Sequence, residues 1–180
     1  MIPQSRLPPL ARLKTLYVLP GPRGRGWLVA GPMRIPCALG PAGVVRLKRE
    51  GDGGTPAGRF GLLWGYFRPD RKRPVAGGVP LRPMRRDTAW CENPTSANYN
   101  RPVRAGADAT DRMWRDDALY DLTFVLDQNF SARAKGRGSA IFFHIAREGL
   151  TPTAGCVAIS AAAMQRRAPR LARGAKIVVK

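Results

Sequence analysis

Histidine is nearly absent from this chain, which has one, His144, in 180 residues. Any imidazole chemistry has to be written with that residue, and a site built on two histidines is excluded. Cysteine is scarce as well: Cys37, Cys91 and Cys156 lie too far apart for Cys-x-x-Cys redox or zinc motifs. A structural metal site is therefore not expected. An oxidising compartment would permit one bridge, Cys37 to Cys91, with Cys156 left free; the alternative is that both are buried unpaired thiols. Long apolar runs are missing, and none approaches the roughly 20 residues that cross a bilayer. Arg12 and Lys14 ahead of residues 15–19 imitate the start of a signal peptide. The apolar run is too short for one, and Pro20-Gly21-Pro22 reads as a turn, so 15–19 is expected to be the first strand.

Acids are few, at 12 against 31 Lys and Arg, giving a formal charge of +19. Such a field attracts polyanions. The bases are scattered from Arg6 to Lys180, mostly as arginine, with no zinc-finger spacing, helix-turn-helix pattern or aromatic RNA-binding signature. No specific nucleic-acid partner is expected. A carboxylate-rich polymer such as cell-wall peptidoglycan would be drawn to the same field.

A chain of 180 residues, 44% hydrophobic and 24% charged, is one domain by size and long enough to bury a core without disulfides. Strand signals dominate it. Runs rich in β-branched and aromatic residues at 15–19, 27–30, 34–39, 44–47, 60–67, 120–126, 140–145, 156–159 and 176–179 are separated by glycine and proline. The spacing predicts a β-sandwich or barrel rather than βαβ units. One helix follows Ser160 as N-cap, through Ala161-Ala162-Ala163-Met164, with Pro169 weakening or ending it and Gly174 as a stop. A second short helix is expected over 110–119, where Met113 and Trp114 are apolar among charges. Residues 68–108, rich in proline, arginine and asparagine, read as a long loop over one end of the sheet, a lid or substrate wall.

The chemistry concentrates where His144 precedes Cys156 by twelve residues. A thiol is a useful nucleophile only as thiolate, and an imidazole is the usual way to make one near neutral pH. The bland reading, two packed core residues, stands beside it. Gly155 favours the first: a glycine before the nucleophile lets the backbone turn so that the Gly155 and Cys156 N–H groups face an oxyanion. His144 closes an apolar strand, and its imidazole needs an orienting partner. Glu148 lies in a turn, so a backbone carbonyl is the expected acceptor for Nδ1–H. Upstream, Lys48 to Phe60 is dense in glycine but lacks the Gly-Lys-Ser/Thr ending of a phosphate loop, and reads as a tight turn. Residues 90–102 form a polar aromatic loop of the kind that lines binding sites.

Thr55-Pro56-x-Gly58-x-Phe60, then His144, then Thr153-x-Gly155-Cys156, taken in order, resemble the L,D-transpeptidase catalytic domain (YkuD-like) family. Segments 87–101, Tyr120-Asp121 with Asp127-Gln128-Asn129, and Gly138-Ser139-Ala140-Ile141 are similar to one branch of it, so the likeness covers about 35–179 of a single 1–180 domain. It implies a mainly β domain with one or two short helices and a capping loop. Cys156 is implied as the nucleophile on a peptide carbonyl between an L-centre and a D-residue of a peptidoglycan stem. His144 is its base and later acid, and Gly155 serves the oxyanion. Thr153 and Ala154, with Trp90, Tyr99, Asn100 and Arg101 of the aromatic loop, are expected to bind substrate. The acyl group waits as a thioester and passes to a diaminopimelate amine, with no metal or organic cofactor. A carbapenem is expected to acylate the thiol, the chain to be a monomer, and the setting to be the cell envelope or periplasm, although no convincing signal peptide is present.

Three positions depart from the family pattern. Ala154 replaces a common histidine, Ile145 follows the histidine where glycine or serine is common, and Ala158 stands where arginine is usual. A guanidinium there could hold a substrate carboxylate by a two-pronged pair, so its loss bears on which bond is cut. The junctions open to it are L-alanine–D-glutamate, giving 1,3 cross-links, and diaminopimelate–D-alanine, giving 3,3 cross-links. Two other functions remain open from the sequence: a peptidoglycan carboxypeptidase or amidase using water as acceptor, and a polyanion-binding β domain.

Overall fold

The structure, a computed structural model, describes residues 11–71, 73–75 and 77–180. Arg6, at one end of the basic distribution, lies outside the described residues. Among the described residues fourteen strands run in the order β1 (Leu13–Pro20), β2 (Arg25–Ala30), β3 (Met33–Ala38), β4 (Val44–Val45), β5 (Thr55–Pro56), β6 (Gly58–Phe67), β7 (Leu81–Pro83), β8 (Thr88–Cys91), β9 (Arg101–Arg104), β10 (Asp111–Arg112), β11 (Leu122–Leu126), β12 (Phe142–Ile145), β13 (Val157–Ile159) and β14 (Leu171–Val179). One helix, α1 (Ala161–Arg167), separates the last two.

The main sheet closes on itself. Its order is β11-β12-β13-β3-β2-β1-β14-β6, and β6 pairs again with β11, while β7 hangs on the far half of β6. Closure depends on the length of β6: residues 58–61 pair with β14 and residues 62–67 with β11. Closing the ring removes the open edges that a flat sheet would leave unpaired. Alternating side chains fill the interior, including Leu16, Val18, Leu28, Phe124, Phe143, Val157, Ile159 and Ile177.

A second, three-stranded sheet in the order β10-β8-β9 lies outside the barrel. Its Trp90, with Met84 and Met113 beside it, packs on Tyr66, Val125, Ala140, Phe142 and Cys156, the residues that β6, β11 and the β12–β13 region turn outward. The molecule therefore has two cores, one inside the ring and one between ring and small sheet. Cys156 belongs to the second.

Ser160 caps α1 by accepting the N–H of Ala163 at 3.3 Å, and the helix gives way at Ala168-Pro169 to a single 3-10 turn, as the proline requires. Residues 110–119 are not a helix: they begin as β10, and Ala118 at φ 62° turns the chain before β11. Residues 68–108 cap the barrel, yet carry β7, β8 and β9 rather than running as an uninterrupted loop. The strand expected over 44–47 stops at Val45, and Leu47 is exposed. Cys37 and Cys91 are buried and unpaired. Burial in the barrel pushes the Cys37 thiol up to about 12, so it stays protonated and inert.

Candidate active site

Strand alternation carries both chemical side chains to one face. Ile141 and Phe143 point into the barrel, so Ala140, Phe142 and His144 point out. Val157 and Ile159 point in, so Cys156 and Ala158 point out. β12 and β13 run parallel with Phe143 opposite Val157 and His144 opposite Ala158. Cys156 therefore sits one strand across from Phe142, two residues back from the position facing His144. Both line one cavity of about 290 Å³. A larger hollow of about 380 Å³ beside α1 is lined by no cysteine, serine or histidine.

Cys156 is 7% exposed and its sulfur is held by backbone: it accepts the Phe142 N–H at 3.3 Å and donates to the Ala140 carbonyl at 3.3 Å. Burial pushes the thiol up to about 12, against which the Phe142 N–H works in the thiolate's favour. His144, 5% exposed, sets Nδ1 at 2.8 Å from the Ile145 carbonyl. A carbonyl only accepts, so Nδ1 carries the proton and Nε2 keeps a free lone pair. Burial lowers its pKa to about 4, with the Ile145 carbonyl opposing. The resting pair is a neutral thiol beside a neutral imidazole. Tyr120 closes over the ring edge-on, at 5.3 Å between centroids.

The turn before Cys156 is built by Thr153 and Gly155. Thr153 Oγ1 donates to the Cys156 carbonyl at 2.7 Å and accepts the Gly155 N–H at 3.1 Å, while the Thr153 N–H donates to Leu39 O at 2.9 Å. Gly155 has φ 139°, and a Cβ there would lie 2.7 Å from the Gly54 carbonyl oxygen. The glycine-dense upstream segment is thus a close-packed support for the turn before Cys156, in keeping with a tight turn. One expectation changes. The Gly155 N–H is turned back onto Thr153 and does not face the cleft; the Gly155 role that stands is the turn.

Among the expected substrate residues, Thr153 and Ala154 line the cavity. Trp90, Tyr99 and Asn100 are at most 2% exposed, and Arg101 is half-buried; none of the four is among the lining residues. Their polar groups are engaged by the protein itself. Asn100 Oδ1 accepts from Trp90 Nε1 at 3.0 Å and from the Ala140 N–H at 3.1 Å, and Asn100 Nδ2 donates to Gln128 O at 3.2 Å. Tyr99 donates to Glu50, which also accepts from Ser139 at 2.9 Å. Arg101 donates to the Asn100 and Phe130 carbonyls and covers the Phe130 ring. Trp90, Tyr99 and Asn100 support the wall from behind, because side chains this deep have no surface left for a ligand.

The cavity is finished by residues that sequence reasoning did not assign: Glu92, Asp111, Arg115, Tyr120 and Arg147. Asp111 was hidden in the supposed helix, and Glu92 carries no local signal beyond its aromatic loop. Arg115 and Arg147 both reach Asp117, at 2.5 and 3.5 Å, which places cations beside His144 although Ala158 offers none. Ala158 itself is wholly buried between His144 and Ala38. Among the described residues no three His, Cys, Asp or Glu side chains gather as a metal site, and no helix is long and apolar enough to cross a membrane.

The family model described as YkuD, L,D-transpeptidase catalytic domain, matches residues 22–179. No curated protein and no solved structure gives a significant match.

Proposed function

The chain belongs to the YkuD family of L,D-transpeptidase catalytic domains, and from that premise we propose that it is a cysteine acyltransferase that cross-links peptidoglycan stem peptides in the cell envelope. The observation that carries the reading is the shared cavity: the only histidine and Cys156 line it together, with Nε2 of the imidazole unprotonated.

In this reading a stem enters beside Thr153 and Ala154. Its carbonyl carbon takes the sulfur as His144 Nε2 takes the thiol proton. Deprotonation belongs to the attack itself, since neither resting group favours the charged form. The Phe142 N–H, already on the sulfur, stabilises the developing thiolate, and the Cys156 N–H takes the oxyanion role that Gly155 does not fill. His144 returns its proton to the departing amine, leaving a thioester. A second stem's amine then attacks, the C–N bond forms, the C–S bond breaks, and the thiol is restored. Arg115 and Arg147 supply the carboxylate-binding charge that Ala158 lacks. The cleaved junction is L-alanine–D-glutamate or diaminopimelate–D-alanine, for 1,3 or 3,3 cross-links.

Digestion of purified muropeptides, with tandem mass spectrometry of the products, reads junction and acceptor together. Intact-mass measurement after carbapenem treatment should show one adduct, on Cys156. Equal labelling of Cys156→Ser, or labelling at Cys37 or Cys91, would overturn the nucleophile assignment.

A further inference from the structure

The small sheet places two carboxylates over the nucleophile. β10 pairs antiparallel with β8, Asp111 opposite Trp90. Glu92 lies two residues beyond Trp90 and so continues its face, diagonal to Asp111. That face is the one Trp90 packs on the barrel. Glu92 and Asp111 accordingly line the same cavity as Cys156 and His144. The Glu92 backbone is pinned by its N–H to Thr110 Oγ1 at 2.6 Å, and Thr110 N–H donates to Trp90 O at 3.1 Å, so the pair is held across two neighbouring strands.

Among the described residues neither acid has a cationic partner, and both face the cavity. The chain has 31 cationic side chains for 12 acids. Asp52, Asp70, Asp87, Asp117 and Asp121 each hold a lysine or arginine within 4 Å. Among the described residues the other seven hold none, and of these Glu92 and Asp111 are the two that line the cavity. Asp111 accepts only the Tyr120 hydroxyl, at 3.0 Å. The cations that line the same cavity, Arg115 and Arg147, turn to Asp117. Burial, then Asp111, then Glu50 raise the Glu92 pKa to about 7, while burial raises Asp111 against the Tyr120 hydrogen bond and Arg115. Two unpaired carboxylates facing a cavity in a strongly cationic protein leave room for a cation from outside.

We infer that Glu92 and Asp111 form the acceptor subsite, which gathers a primary ammonium group and relieves it of a proton before it attacks the thioester on Cys156. The inference rests on the acyltransferase reading above. Amines exist in water as ammonium ions, which do not attack carbonyls, and the +19 field of the molecule repels them. A local acidic pair reverses that field where it matters. The ammonium gives one proton to Glu92, the freed nitrogen forms the C–N bond, and the C–S bond breaks. The nitrogen's second proton passes to His144 and on to the leaving sulfur. A carboxylate with its pKa near 7 takes a proton from an ammonium more readily than an ordinary one does. Arg115 and Arg147, on the histidine side, share the single carboxylate of Asp117, so that wall keeps a net positive charge for donor carboxylates, and donor and acceptor approach walls of opposite charge.

The test uses the full chain with a tetrapeptide muropeptide as donor and excess Nα-acetyl-lysine amide as acceptor, reading the ratio of aminolysed to hydrolysed product. Glu92→Gln and Asp111→Asn should each lower that ratio about tenfold and raise the acceptor KM, the loss of one charge-assisted contact. Aminolysis by the wild type should rise with pH through about 7, and Glu92→Gln should lose that limb. In the wild type alone, the trimethylammonium analogue of the acceptor, which binds but does not attack, should compete with it. An unchanged ratio in a folded variant, or no competition by the analogue, overturns the subsite. Absence of an acyl adduct on Cys156 in the wild type instead overturns the acyltransferase reading, so the two failures are distinguishable.

Discussion

His144 and Glu92 line the same cavity with opposite protonation problems. Burial takes the histidine down to about 4 from 6.5, and takes the glutamate up to about 7 from 4.5. Below pH 6.5 the unfolded chain binds a proton on His144 that the folded chain refuses, so this group's stability is lost as pH falls towards 4, up to about 3 kcal/mol. Glu92 runs the other way. Between pH 4.5 and 7 the folded chain keeps a proton that the unfolded chain has given up, so its stability is present below 4.5 and lost as pH rises through 7. Solvent reaches Glu92 and screens this to about 1 kcal/mol. The two slopes oppose each other in the wild type, and single variants separate them. Urea unfolding at pH 4, pH 5 and pH 8 should show Glu92→Gln more stable than wild type at pH 8 and no more stable at pH 4. His144→Gln should lose less stability than wild type on acidification to pH 5. A glutamine at 92 that stabilises the fold while lowering aminolysis is the signature of a residue kept for function. In catalysis, the acid limb of Cys156 acylation should fall near pH 4 rather than the usual 6.5, read by stopped acylation time courses and intact mass. An acid limb at 6.5 would remove the neutral-imidazole account.

At the scale of elements, the cysteine platform is a chain of backbone contacts. Trp90 and the Ala140 N–H both donate to Asn100 Oδ1, and the Ala140 carbonyl, at φ 52°, accepts from the thiol. A non-glycine residue in that region is uncommon and is held there by its surroundings. Asn100→Leu removes the acceptor of two buried donors and should cost about 2–4 kcal/mol in chemical denaturation. It should also slow Cys156 acylation in the fraction that remains folded. Gly155→Ala should cost at least about 1 kcal/mol, since φ 139° and the Gly54 carbonyl leave no place for a methyl. The barrel strands were legible in the sequence because alternation at 15–19, 60–67, 140–145 and 156–159 follows from one face being a closed core. His144 and Cys156 stood out by the scarcity of histidine and by the glycine before the cysteine, and the outward face of the same alternation carries both. The small sheet was not legible. β8, β9 and β10 are two to four residues long, carry Pro102 and four arginines or aspartates, and owe their pairing to the barrel face beneath Trp90. Period and propensity see local chain only, so Met113 and Trp114 read as a helix, and Asp111 stayed out of the site. Trp90, Tyr99 and Asn100 looked like a binding loop because aromatic and amide groups serve a buried strut as well as a ligand.

Charge acts over the whole molecule on a longer range than either acid. The 31 Lys and Arg run through the chain rather than gathering in one segment, so the field is broad, and it falls off over a Debye length of about 10 Å at 0.1 M salt. Peptidoglycan presents many carboxylates to such a field, whereas a small neutral acyl donor presents none. The polymer's capture is therefore a sum of weak, screened attractions, and the chemical step inside the cavity is shielded from salt by burial. Raising salt from about 50 to about 500 mM shortens the Debye length to about 4 Å, and turnover of sacculi should fall at least severalfold. Acylation of Cys156 by an uncharged thioester should change less than about twofold over the same range, because the groups that drive it are in contact and out of bulk water. The acceptor arm supplies the internal control. A cationic amine is repelled by the molecule and attracted by Glu92 and Asp111, so salt should weaken the long-range repulsion more than the short-range attraction. Aminolysis by Nα-acetyl-lysine amide should then hold steady or rise with salt while sacculus turnover falls. If both fall together, the amine is drawn by no local site and the basic surface alone governs what reaches the cysteine.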